Sequence, residues 1–216
     1  IKKNRVLLVD LDAQAHSTYG MGIKPDIERK SIGDIIISHS ENRFVFFYQK
    51  SIKDVIISTP RKGLYLVPSN IKLTSQAEPL YRNSLFFKER KYTILEQCFK
   101  PILNDYEYII IDCPPGLGVL TLNAVRCCDF ILVPCEMSAG SILGFNDLLN
   151  VAKEIKGESF DNYRILYTMI DNRCKSAAKY VSEQLEPFEK KSLKTKIRRN
   201  EMFNQCQIQM KDIFTF

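Results

Sequence analysis

No apolar run in this chain approaches the roughly 18 residues of a membrane span, and the densest cluster, 44–48, is far too short. The chain also opens without the charged-then-apolar pattern of a secretion leader. Ile1, not methionine, stands first, so the expectation is a trimmed sequence whose upstream residues matter. Its two histidines, His16 and His39, have no partner at metal or catalytic spacing, and surface or turn roles are expected for both. Seven cysteines (Cys98, Cys113, Cys127, Cys128, Cys135, Cys174 and Cys206) form an odd set without a C-x-x-C pair. That pattern argues against a secreted disulfide framework and a structural zinc site. Reduced thiols in a cytosolic core are the expectation. An iron–sulfur role for Cys113 would need further cysteines in Gly-rich surroundings, and none of the others supplies them. No repeat, low-complexity tract or dividing linker is visible, so one domain over 1–216 is expected.

What is present fits a globular protein able to bury a full core: 216 residues, 45% hydrophobic and 26% charged. The net charge of +6 gathers late, with Lys190, Lys191, Lys194, Lys196, Arg198 and Arg199 close together. Such a stretch suits a polyanion partner and equally a solvated lysine-rich face.

Four nearly continuous apolar runs, 5–9, 108–111, 130–133 and 165–169, have the length and β-branched character of parallel strands buried on both faces. The runs 64–67 and 193–197 are weaker examples. In 142–155 the residues Ile142, Phe145, Leu148, Leu149, Ala152 and Ile155 repeat at helical spacing, which predicts one amphipathic helix. Segments 71–82, 85–100, 119–126 and 176–188 read likewise, and 38–54 reads as an irregular surface excursion. Strand–helix alternation predicts an α/β fold, a mainly parallel sheet with helices on both faces.

Two strands end in acids. The first runs into Asp10 and Asp12, and the second into Asp112 followed by Pro114 and Pro115. The carboxyl ends of parallel strands form the ligand edge of such sheets. Asp10 and Asp12 either cap the turn or face a ligand there. An aspartate at the position of Asp112 can hold Mg²⁺ through a water.

The blocks "RVLLVDLDAQ", "YEYIIIDCPPGLGVLTLNAV", "DFILVPCEMSAGSILGFNDLL", "ILYTMIDNR" and "TKIRRN" stand in the order and spacing of the ParA partition ATPases, relatives of MinD. The chain resembles that family over residues 4–216. The resemblance implies a deviant P-loop fold and a cytoplasmic, nucleoid-associated Mg²⁺-dependent ATPase. It further implies an ATP-dependent homodimer, non-specific DNA binding and a centromere-binding ParB-like partner. Asp12 resembles the acid needed for hydrolysis, Asp10 an organiser of its surroundings, and Asp112 the Mg²⁺-side acid. Thr168, Met169, Arg198 and Asn200 fall where the family approaches adenine. Lys194, Lys196, Arg199 and Lys211 are the candidate DNA contacts.

Three departures from the family stand out. No G-x-x-x-x-G-K-S/T loop occurs in the chain, so it is expected upstream of Ile1; the other reading is a catalytically dead binding module. Arg198 replaces a proline, and it either stacks on the purine or is simply exposed. The family's last helix would follow Phe216, and with it any membrane-binding tail of a MinD-like positioning ATPase.

Overall fold

The computed structural model describes residues 5–41, 50–77, 92–171, 175–211 and 213–214. The chain divides into two compact units, one of Ile1–Cys127 with Phe203–Phe216, the other of Cys128–Met202.

In the first unit β1 (Val6–Asp10) runs into the short helix α1 (His16–Gly20), followed by α2 (Ile32–Glu41). Next come β2 (Ile57–Ser58), β3 (Leu64–Val67), α3 (Leu73–Gln76), α4 (Ile94–Phe99), β4 (Tyr108–Asp112) and α5 (Val119–Cys127). The sheet order is β2-β3-β1-β4, with β1 parallel to β3 and β4, and β2 antiparallel to β3. Leu7 and Val9 of β1 are fully buried beneath Ile32, Ile35 and Ile36 of α2 and Leu95 of α4. The three isoleucines recur at helical spacing and so share one stripe. At the start of α2 the Ser31 amide donates to the Asp34 carboxylate at 2.9 Å, which satisfies an otherwise unpaired N–H.

The second unit holds β5 (Ile131–Glu136), α6 (Ala139–Lys156), β6 (Tyr163–Ile170), α7 (Lys175–Leu185) and β7 (Ser192–Arg198). From its last residues the chain continues into α8 (Glu201–Ile208). Its sheet, β5-β6-β7, is parallel throughout. The core joins Val133 and Cys135 to Ile142, Phe145, Ile165, Val181 and Leu185.

The α/β architecture with mainly parallel strands is therefore as the alternation predicts. Burial on both faces does not hold for 108–111 and 130–133. Tyr108 is 59% exposed, Ile110 53% and Leu132 47%. β4 and β5 each end a sheet and pair on one side only among the described residues. Three elements, α1, α2 and α8, lie where the periodicity predicts no helix. Parts of the predicted helices 71–82 and 85–100 lie outside the described residues, as does Cys174. No helix among the described residues is long and apolar enough to cross a membrane.

Candidate active site

β1 and β4 are in register to their last residues, with Asp10 opposite Asp112. The Leu11 amide donates to the Asp112 carbonyl at 2.8 Å, so the ladder closes just beyond both acids. Asp12 follows two residues later, on the same carboxyl edge.

The three carboxylates differ in environment. Asp10 is fully buried. Its Oδ2 accepts from the Thr18 amide and hydroxyl, both at 2.7 Å, and its Oδ1 accepts from the Asp12 amide at 3.2 Å. It anchors the turn from inside. Burial pushes its carboxyl above the ordinary 3.8; the Thr18 and Asp12 donors pull the other way, and the Asp112 charge adds to the rise.

A raised folded value means that the folded chain holds this proton more tightly than the unfolded chain. The stability that Asp10 contributes is then full below the unfolded value and is lost as pH rises through the folded one. In a carboxyl-carbon NMR titration the Asp10 midpoint is expected above 3.8. A midpoint at or below that value would show that the donors outweigh burial.

Asp12 is half-buried, and its Oδ1 accepts from the Gln14 amide at 3.0 Å. The chain then turns through Ala15 at φ 56°, ψ 36°. A non-glycine residue there costs of order 1 kcal/mol and persists only where its surroundings hold it. The Ala15 amide bonds the Asp12 carbonyl at 3.0 Å, and the Ala15 carbonyl accepts from Tyr19 at 2.9 Å. Asp112 is half-buried, and its Oδ2 accepts from the Ser17 hydroxyl at 2.5 Å. Among the described residues no donor reaches Oδ2 of Asp12 or Oδ1 of Asp112.

In the second unit Thr168 lies opposite Glu136, and Ile170 pairs with Arg198. Between them Met169 adopts φ 52°. This left-handed residue accounts for the register shift between β6 and β7 there. Met169 is 45% exposed. Arg198 is exposed, and the Arg199 amide bonds the Ile170 carbonyl at 3.0 Å. Asn200 accepts from the Met202 amide at 2.9 Å, so its side chain caps α8. Lys194, Lys196 and Arg199 are exposed, with the Lys196 ammonium 5.4 Å from the Tyr167 ring centroid. Lys211, also exposed, belongs to the first unit. Lys191 is paired with Asp161, which removes it from the free basic stretch.

Comparison with known proteins supplies the family. A family model described as an AAA domain matches residues 1–165. Soj, the sporulation initiation inhibitor protein of Bacillus subtilis, is 29% identical across 98% of this chain and 79% of its own length. The chromosome partitioning protein ParA of Myxococcus xanthus is 29% identical across 94% of this chain and 68% of its own. The chain belongs to the AAA domain family, among its ParA/MinD-type ATPases.

Two solved structures carry the same fold. Cyanthece apo McdA superposes with TM-score 0.79 at 18% identity, covering 98% of this chain and 81% of McdA. Cobyrinic acid a,c-diamide synthase of Mycobacterium smegmatis, solved with an ATP analog and magnesium, gives 0.73 at 24% identity over 96% of this chain and 79% of the synthase.

For a ParA/MinD-type chain the donor set is informative. Among the described residues no group of three or more His, Cys, Asp or Glu side chains could cage a metal. Mg²⁺ does not need such a cage: it usually takes one or two carboxylates, several waters and substrate phosphates. Asp112, with one carboxylate oxygen that no described residue donates to, fits that mode.

Two residues of this edge are not singled out by the sequence motifs. Ser17 and Thr18 supply the hydroxyls that hold Asp112 and Asp10. The available signal was a Ser-Thr pair five residues beyond Asp12, too short and too common to read without the fold.

Proposed function

We propose that this chain acts as a Mg²⁺-dependent ATPase in DNA partition, dimerising with ATP, binding DNA without sequence preference and responding to a ParB-like partner. One observation carries the reading: Asp10 and Asp112 end neighbouring parallel strands in register, with Asp12 on the turn just beyond. Partition proteins among its relatives and an ATP analog with magnesium in a protein of the same fold support it.

In this reading Mg²⁺ neutralises phosphate charge when bound. Asp112 would hold it through water, using the oxygen to which no described residue donates. Asp12 orients the water that attacks the terminal phosphate. Asp10, buried and saturated with donors, keeps Asp12 and α1 in place. Thr168, Met169, Arg198 and Asn200 take the adenine end; the cap to α8 fixes Asn200, and exposed Arg198 is available for stacking.

Lys194, Lys196 and Arg199, with Lys211, are the proposed phosphate contacts for DNA. Contacts of this kind position a protein without reading bases. The test is fluorescence anisotropy on the full-length protein, with and without Mg²⁺-ATP, across a salt series. Binding is expected to need ATP, to ignore sequence and to fall steeply with salt. Changing Lys194 and Lys196 to Glu should weaken it on every sequence and flatten the salt slope by about one unit per lost contact. An unchanged slope in that double variant would make the stretch a solvated face. Binding indifferent to ATP would count against the partition reading itself.

A further inference from the structure

α1 is a five-residue helix, and its N-cap, Ala15, offers no side-chain hydrogen bond. A helix this short does not hold itself together, because nucleation is costly. Here the stabilising bonds come from two strand ends. Thr18, fully buried, donates to Asp10 of β1 and accepts from the Ser69 amide at 3.0 Å, so its hydroxyl both donates and accepts. Ser17, its neighbour, donates to Asp112 of β4. Consecutive helical residues point about 100° apart, and adjacent strands lie about 4.8 Å apart. Two neighbouring hydroxyls on one turn can therefore each reach a different strand.

The two bonds are not equivalent. Thr18 joins three buried segments, and its role is to hold the fold. Ser17 is half-buried, and among the described residues its hydroxyl bonds one partner, the half-buried acid at the metal side. The bond is short and charge-assisted, the stronger kind of hydrogen bond. It also decides which oxygen of Asp112 stays open, since Oδ2 is committed to Ser17.

We propose that Ser17 is a positioning residue for magnesium: its hydroxyl fixes the Asp112 carboxylate and reserves Oδ1 for the water shell of the ion. This rests on the ATPase reading above. Because the turn that Gln14 and Ala15 close onto Asp12 leads directly into α1, the same bond ties Asp112 to the segment that carries Asp12. Occupancy of the metal side is thereby coupled to the placement of Asp12.

Partners that orient a metal-holding side chain typically matter tenfold or more in metal affinity. The experiment is an electron paramagnetic resonance titration of Mn²⁺ into the full-length protein with AMPPNP. Wild type, Ser17→Ala, Ser17→Thr and Asp112→Asn are compared. Ser17→Ala is expected to weaken Mn²⁺ binding by about tenfold, and Ser17→Thr, which keeps the hydroxyl, to restore most of it. AMPPNP affinity in EDTA is expected to stay the same in both Ser17 variants.

Mn²⁺ affinity unchanged in Ser17→Ala but reduced in Asp112→Asn would overturn the role of Ser17 and leave the magnesium reading standing. If Asp112→Asn also binds Mn²⁺ as wild type does, the magnesium reading itself fails. Equal losses in Ser17→Ala and Ser17→Thr, accompanied by a lowered melting temperature, would mean that Ser17 only packs the turn, and the proposal would fall.

Discussion

Asp12→Ala is expected to leave ATP binding in place and to cut turnover by about a hundredfold or more, the scale of losing the positioning of a reactant. The structure separates this variant from a folding defect. Asp12 is half-buried, and among the described residues its one side-chain bond goes to the amide of exposed Gln14, where water can replace it. The loss in stability is then about 1 kcal/mol or less. Asp10 is the instructive contrast. Removing its buried carboxylate would strand the Thr18 amide, the Thr18 hydroxyl and the Asp12 amide together. An inactive Asp10→Ala protein would therefore say nothing about chemistry. The measurement for Asp12→Ala is phosphate release with DNA and the partner protein present, beside nucleotide affinity from a fluorescent ATP analog. The proposed outcome is a dimer that stays on DNA because it cannot turn over. Hydrolysis at the parental rate would remove Asp12 from the mechanism.

The strand ends were legible because a run of apolar β-branched residues stopping at an acid needs only local sequence to be recognised. Register was not written there. That Asp10 meets Asp112 follows from a pairing across a hundred residues of chain. α1 has no local signal for a related reason: His16–Gly20 has no apolar stripe, and the carboxylates of Asp10 and distant Asp112 hold it. α2 was hidden in a different way. Ile35, Ile36 and Ile37 in a row resemble strand residues, and only the burial of Ile32, Ile35 and Ile36 on one side makes the segment a helix. The apolar runs of β4 and β5 likewise do not reveal which faces stay open. Nor does the local sequence signal the bulge at Met169, since a methionine at φ 52° is held there by the paired strands. Of the late basic cluster, the sequence could not show that Lys191 is already committed to Asp161.

Asn123→Ala is expected to cost about 2–4 kcal/mol, because it strands buried amides that have no other acceptor among the described residues. Helix α4 begins after Thr93, whose side chain makes no capping bond. The first amides of any helix lack partners within it, and here they are satisfied from another helix. Asn123 of α5, fully buried, accepts from the Ile94 amide at 3.0 Å and the Leu95 amide at 3.3 Å. Its Nδ2 donates to the Val119 carbonyl at 2.9 Å, which fixes the amide orientation and aims the oxygen at α4. Ile94, Leu95, Cys98 and Phe99 of α4 all belong to the core above β1, so loosening its first turn disturbs packing as well as hydrogen bonding. Against a total stability of about 5–15 kcal/mol, such a loss is large. Urea unfolding of Asn123→Ala and Asn123→Leu separates the two contributions. Leucine refills the volume but offers no acceptor, so it should be almost as damaging as alanine if the amides dominate. Hydrogen exchange at Ile94 and Leu95 should accelerate in both variants. A loss below about 1 kcal/mol in Asn123→Leu, the size of an ordinary solvated hydrogen bond, would show that Asn123 fills space and does not cap α4.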